Sequence, residues 1–219
     1  MNLLRNLLLL LIFFLPFNLA AQVILKGKIT DSETNLPVPC TYSLVESESG
    51  KPVIEKTSND GSYEVSLTPD LQYNLIFKAD LYEEMGITFR INKTVSRNFS
   101  IEPLKEGSVG SLGDLPFAQG KAEITSETQE KLLNLVAWLK AHERIKKIEV
   151  RGHTDKVGDP LQNMKLSQMR AQAVVDFLIQ NGIEKEKLQA TGLGSTMPVE
   201  KTANPKNRRV EIKILAVSK

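Results

Sequence analysis

Residues 148–160 read Ile-Glu-Val-Arg-Gly-His-Thr-Asp-Lys-Val-Gly-Asp-Pro, and they set the architecture of the C-terminal half. Ile148 and Val150 alternate with Glu149 and Arg151, which predicts a strand that stops at Gly152. Asp159-Pro160 suits a helix start, because proline at the first helical position gives up no intrahelical hydrogen bond. A strand, a polar turn and a helix in succession form the unit from which α/β layers are built. The turn between them, His153 to Gly158, sits just beyond a strand end, where open α/β sheets place their ligand sites.

The flanking sequence continues this alternation. Downstream, Leu166, Met169, Ala173 and Phe177 are expected on the buried face of the helix, with Asn181-Gly182 as its stop. A weak strand follows at Lys187 to Thr191, and Val210, Ile212 and Ile214 alternate with Glu211 and Lys213 in a last one. Upstream, Thr125-Ser126 followed by Glu127 and Gln129 reads as a capping box. Leu132, Leu135, Val136 and Leu139 then recur at helical spacing, so a helix is expected from about Ser126 to His142. Residues 114–219 thus predict two main helices on a mixed β-sheet.

Residues 22–101 have a different period. Tyr63, Val65 and Leu67 alternate with Glu64, Ser66 and Thr68 after the Asn59-Asp60-Gly61 turn signal, and further short strands are expected at Val23–Ile29, Tyr42–Val45 and Tyr73–Lys78. Regular short strands of this kind predict a small antiparallel β-sandwich. Between the halves, 102–113 holds Pro103, Gly107, Gly110 and Gly113 without apolar periodicity and reads as a linker. The whole chain is therefore expected to be an α+β protein of two domains.

Before these halves, Arg5 precedes nine apolar residues from Leu7 to Leu15, then Pro16 and Leu19-Ala20-Ala21. This is the order of a secretory signal peptide over 1–21, and nine residues fall short of the ~20 needed to span a bilayer. No transmembrane segment is expected after its removal. A net charge of +2 argues against a dedicated nucleic-acid binder. The single cysteine, Cys40, permits no internal disulfide, and two histidines, His142 and His153, leave little for a metal cage. Neither a metal nor another cofactor is expected. The charge is uneven: residues 114–219 carry 18 Lys+Arg against 13 Asp+Glu, a net of +5, whereas residues 22–113 carry 9 against 13, a net of −4. A basic half next to an acidic one suits a domain that meets carboxylates, and equally one that meets anionic lipid.

Two family resemblances follow from quoted motifs. Gly27-Lys28-Ile29-Thr30-Asp31, Leu36-Pro37-Val38-Pro39 and Asp60-Gly61-Ser62-Tyr63 make residues 22–101 similar to the carboxypeptidase regulatory-like (transthyretin-like, Ig-like) β-sandwich. That resemblance implies a non-catalytic spacer or adhesion module; separately from it, another envelope protein is a candidate partner for the sandwich. Gly152-His153-Thr154-Asp155, Leu166-Ser167-Gln168-Met169-Arg170-Ala171 and Asn207-Arg208-Arg209-Val210-Glu211 make residues 114–219 resemble the OmpA-like peptidoglycan-binding domain. Gly158, Asn163 and Thr191-Gly192-Leu193-Gly194 fit the same pattern. One departure stands out: the family's opening strand commonly ends in Phe followed by an acidic residue, and here Ala118 follows Phe117.

The second resemblance implies periplasmic, cell-wall and outer-membrane association and a diaminopimelate ligand in the peptidoglycan stem peptide. That side chain ends in an ammonium and a carboxylate on one carbon, so its receptor needs an anion and a cation facing one pocket. Asp155 would accept from the ammonium, and the planar guanidinium of Arg170 would take the carboxylate. Thr154 and Asn163 are the expected hydrogen-bonding neighbours, with Gly152, Leu166 and Arg208 as further candidates. No catalytic residue is expected. An envelope hydrolase would need paired carboxylates or a metal-bound water, and a structural part of a larger outer-membrane assembly is the other alternative.

Overall fold

Strand alternation builds the N-terminal half. Tyr63, Val65 and Leu67 point inward from Ser62–Leu67 while Glu64 and Ser66 face solvent, as the two-residue period requires. The computed structural model describes residues 22–112, 115, 117, 120–200 and 204–218, so the expected signal peptide lies outside the described residues. The first eight strands are β1 (Val23–Asp31), β2 (Cys40–Glu46), β3 (Pro52–Ser58), β4 (Ser62–Leu67), β5 (Gln72–Lys78), β6 (Met85–Arg90), β7 (Val95–Ser96) and β8 (Phe99–Ile101). One sheet runs β3-β2-β5-β6, and the other runs β4-β1-β7 with β8 also on β1. Leu25 and Ile29 of β1 and Tyr63 of β4 share one core with Leu44 of β2 and Phe77 of β5. Tyr63 meets Phe77 edge-on with ring centroids 5.2 Å apart. Cys40 lies in this core, and burial pushes its thiol up to about 11.

This half differs from expectation in its strand directions. β7 and β8 both run parallel to β1, so that sheet is mixed rather than antiparallel. The reason is the connection after β6, which returns the chain alongside β1 instead of folding it into a hairpin. The Asn59–Gly61 turn likewise joins β3 and β4, which belong to different sheets. Asp60 closes it by accepting from the Ser62 hydroxyl at 2.6 Å, the Ser62 amide at 3.0 Å and the Ser58 hydroxyl at 3.1 Å, which hold its carboxyl at about 2.

The C-terminal half contains β9 (Val109–Ser111), α1 (Ser126–Ala141), β10 (Ile145–Gly152), α2 (Pro160–Gln180), β11 (Leu188–Gly192) and β12 (Val210–Val217). The sheet order is β11-β10-β12-β9, with β10 and β11 parallel and the other pairs antiparallel. Two helices on a mixed sheet is the expected arrangement. Thr125 caps α1 by accepting from the Thr128 amide, without the reciprocal Glu or Gln of a full capping box. Asp159 caps α2 from the Gln162 amide at 2.8 Å, with Pro160 next to it.

Two further expectations need correction. The buried face of α2 is Ser167, Arg170, Ala171, Val174, Val175 and Leu178, whereas Met169 is half exposed. The helix is turned by about one position from the expected phase, and the turn carries Arg170 inward. The stretch read as a linker, 102–113, is also not free of structure. β9 lies within it, Leu104 and Leu112 are buried in the C-terminal core, and the Gly107 amide donates to the Ile214 carbonyl. Gly110 packs against Leu104, whose Cδ1 lies 2.6 Å from where a Cβ would stand.

The halves also touch through side chains. His142 Nε2 lies 2.7 Å from Asp31 Oδ2, and its Nδ1 donates to the Trp138 carbonyl at 2.7 Å. The Tyr82 hydroxyl donates to the same Asp31 oxygen at 2.7 Å, and Arg144 pairs with Glu33. Trp138 packs against His142 and Tyr82 in this seam.

Candidate functional site

The C-terminal ends of β10 and β11 are pressed against α2, and glycine makes that approach possible. Gly152 and Gly192 are register partners. A Cβ on Gly152 would lie 2.2 Å from the Ser167 carbonyl oxygen, and one on Gly192 would lie 2.3 Å from the Gln168 nitrogen. The Ser167 hydroxyl donates to the Met164 carbonyl and accepts from the Gly194 amide at 2.9 Å. The Gly194 carbonyl in turn accepts from the Thr154 amide at 2.9 Å. Gly152 lets the helix close over the strand ends.

Beyond this junction is a pocket of about 440 Å³. Its walls bring together Asp155, Arg170, Thr154, Asn163, Leu166 and Arg208, along with Phe117, Gly120 and Val157. Asp155 Oδ1 accepts from the Val157 amide at 3.1 Å, which fixes the carboxylate, and its Oδ2 accepts from Arg208 Nη1 at 3.0 Å. Asn163 donates from its amide to the Val157 carbonyl at 2.9 Å, tying α2 to the same turn. Arg170 is only 6% exposed; its Nε donates to the Lys121 carbonyl at 3.0 Å, and its guanidinium lies 5.0 Å from the centre of the Phe117 ring. Burial, then the neighbouring charge of Arg208, pulls the Arg170 pKa down, and Asp155 opposes the shift. Thr154 Oγ1 is buried in this wall and has no hydrogen-bond partner among the described residues.

Below the pocket, His153 Nε2 lies 3.1 Å from Glu211 Oε2, and the His153 amide donates to the Arg209 carbonyl. Burial would raise the Glu211 carboxyl, but His153 and Arg209 outweigh it and hold it at about 2. Asn207 is fully buried, accepting from the Val199 and Glu200 amides and donating to the Glu200 carbonyl. Asn207 and Arg209 therefore stiffen the loop that carries Arg208. Sequence reasoning missed Ser167, Gln168, the Lys121 carbonyl and the His153–Glu211 contact. The paired glycines were the one signal for the first two. Ala118, where the family pattern departs, lies outside the described residues.

Two helices packed on a mixed sheet, with a charged pocket at the strand ends, define a small α/β domain of the open-sheet class. Residues 116–211 match the OmpA family model, and this part of the chain is an OmpA-family domain. Outer membrane porin F of Pseudomonas aeruginosa is 34% identical over 173 residues, covering 76% of this chain and 43% of its own. Outer membrane protein A of Escherichia fergusonii is 37% identical over 106 residues, covering 47% and 44%. Among solved structures, an outer membrane protein from Borrelia burgdorferi B31 is 28% identical, covering 51% of this chain and 92% of its own, with a TM-score of 0.43. The chain spans less than half the length of the curated relatives it matches. No helix among the described residues is long and apolar enough to cross a membrane.

Proposed function

We propose that this protein binds peptidoglycan non-covalently and without catalysis, through the diaminopimelate of the stem peptide, and so anchors or organises the Gram-negative envelope. The observation that carries the reading is a fixed carboxylate, Asp155, and a buried guanidinium, Arg170, on the walls of one pocket. An ammonium and a carboxylate on one carbon match that pair. The Thr154 hydroxyl, desolvated and unpartnered among the described residues, gives the ligand a further donor and acceptor. Asn163 holds the turn that presents Asp155. The hydrolase alternative would need paired carboxylates or a metal-bound water, and released muropeptides would reveal it.

On this reading a cleaved signal peptide over 1–21 exports the chain to the periplasm, and peptidoglycan binding then holds it at the cell wall and outer membrane. The N-terminal half, with its two sheets around one core, acts as the carboxypeptidase regulatory-like spacer that contacts another envelope protein. The test uses purified sacculi. Mature protein pellets with them and releases no soluble muropeptides, whereas Asp155→Asn weakens pelleting by about ten- to more than a hundred-fold. Arg170→Ala and the charge-keeping Arg170→Lys both weaken it, since lysine lacks the planar fork. Release of muropeptides, or full binding by Asp155→Asn, overturns the proposal.

A further inference from the structure

The seam between the halves holds a second cavity, of about 500 Å³, within the size range of ligand clefts and between domains, where such clefts tend to occur. Its walls come from the β1–β2 connection, the β5–β6 connection and α1. Leu81 and Trp138 are buried in those walls, yet Leu36 at the edge is 60% exposed. Trp138 Nε1 is buried as well. It lies near the Tyr82 hydroxyl, whose proton is committed to Asp31, and it has no partner in hydrogen-bonding geometry among the described residues. A carbonyl on an occupant would supply one.

The charges around this cavity are one cation short. Asp80 stands at its exposed rim, where partial desolvation raises the carboxyl and the charge of Lys131 only partly opposes the shift. Lys131 does not serve Asp80 alone, since its Nζ also lies 4.0 Å from Glu127 Oε1. Two carboxylates therefore share one ammonium. Deeper in, Asp31 already accepts from Tyr82 and faces His142. Residues 113–119, which follow Leu112 of the cavity wall, bring no lysine or arginine to change this balance.

We infer that the seam cavity is a docking site for a protein segment in which a lysine or arginine adjoins a large apolar residue. The apolar side chain fills the space against Leu81 and Trp138, a backbone carbonyl accepts from the indole, and the basic group joins Asp80. This site is separate from the strand-end pocket and does not depend on the diaminopimelate reading.

Trp138 is the only tryptophan of the chain, so its fluorescence reports on the cavity directly. The test titrates the full mature chain with three acetylated, amidated tripeptides, Leu-Lys-Leu, Leu-Gln-Leu and Leu-Glu-Leu. Leu-Lys-Leu shifts the emission saturably and binds about five-fold more tightly than Leu-Gln-Leu, a modest factor because solvent reaches Asp80. Leu-Glu-Leu binds weakest. Asp80→Asn, its fold checked by circular dichroism melts, binds the lysine and glutamine peptides equally and pellets with sacculi as wild type does. An unchanged emission with Leu-Lys-Leu overturns the docking site. Equal affinity of wild type for the three peptides overturns the pairing with Asp80 and with it the proposal. Either failure leaves the peptidoglycan reading standing.

Discussion

At Thr154 and Gly152 the chain gives up local stability or freedom for the sake of the pocket. The Thr154 hydroxyl is buried with no partner among the described residues, and burying such a group costs about 1–3 kcal/mol when nothing bonds it. Thr154→Val keeps the shape and removes the hydroxyl, so chemical denaturation is expected to find the free protein as stable as wild type or more so. Affinity for the stem peptide falls several-fold in the same variant. A loss of stability with unchanged affinity would mean that the hydroxyl serves the fold. Gly152→Ala has the opposite signature. Its methyl would press on the Ser167 carbonyl, backbone that cannot move independently of α2, and a cost of about 1–3 kcal/mol or more is expected in the unfolding free energy. That Asp155 and Arg170 would reach one pocket was legible in the sequence through their motif spacing. That Arg170 is buried was not, because arginine is mostly exposed, and contacts such as those with Phe117 and the Lys121 carbonyl reverse that rule.

Among the elements, the helix ends were legible and the helix phase was not. Thr125 and Asp159 cap as their residue types predict, because a cap is a local hydrogen bond. Asp159→Ala is expected to cost about 1 kcal/mol in thermal or chemical unfolding, with peptide affinity within about two-fold of wild type. The α2 face was misjudged because Leu166, Met169, Ala173 and Phe177 are as apolar as the residues that do face the core. Only the sheet decides between two such stripes, and it chooses Ala171, Val174, Val175 and Leu178. β9 was hidden for a related reason. Gly110 and Pro103 suggest a flexible connection, yet the open edge of β12 gives Val109–Ser111 a ladder to join.

Across the whole molecule, the two halves are tied by a seam that no sequence pattern announces. Asp31 and His142 are 111 positions apart and each is at most 2% exposed on its side chain. Burial would raise the Asp31 carboxyl, but the Thr34 and Glu33 amides, the Tyr82 hydroxyl and His142 outweigh it and lower it below its ordinary 3.8. A carboxyl depressed in the folded state stabilises the protein above its unfolded pKa, and that contribution is lost as pH falls through the lower folded value. The melting temperature of wild type is therefore expected to drop on acidification below about pH 4, by more than that of Asp31→Asn. At neutral pH Asp31→Asn is destabilised by about 3–5 kcal/mol, because His142 and Tyr82 lose the carboxylate they share. An acid profile of Asp31→Asn parallel to that of wild type would show that the seam contributes nothing. The change of hydrophobic period has a counterpart in two separate cores, although Leu81 packs in the C-terminal one.

The account stands or falls on the pairing of Asp155 with an ammonium and Arg170 with a carboxylate on one carbon. Titration calorimetry of wild type and Arg170→Lys with two stem peptides, one carrying diaminopimelate and one carrying lysine in its place, measures that pairing directly. Lysine keeps the amine and lacks the side-chain carboxylate. Wild type is expected to prefer the diaminopimelate peptide by about ten-fold or more, and Arg170→Lys to lose most of that preference. Equal affinity of wild type for the two peptides would contradict it.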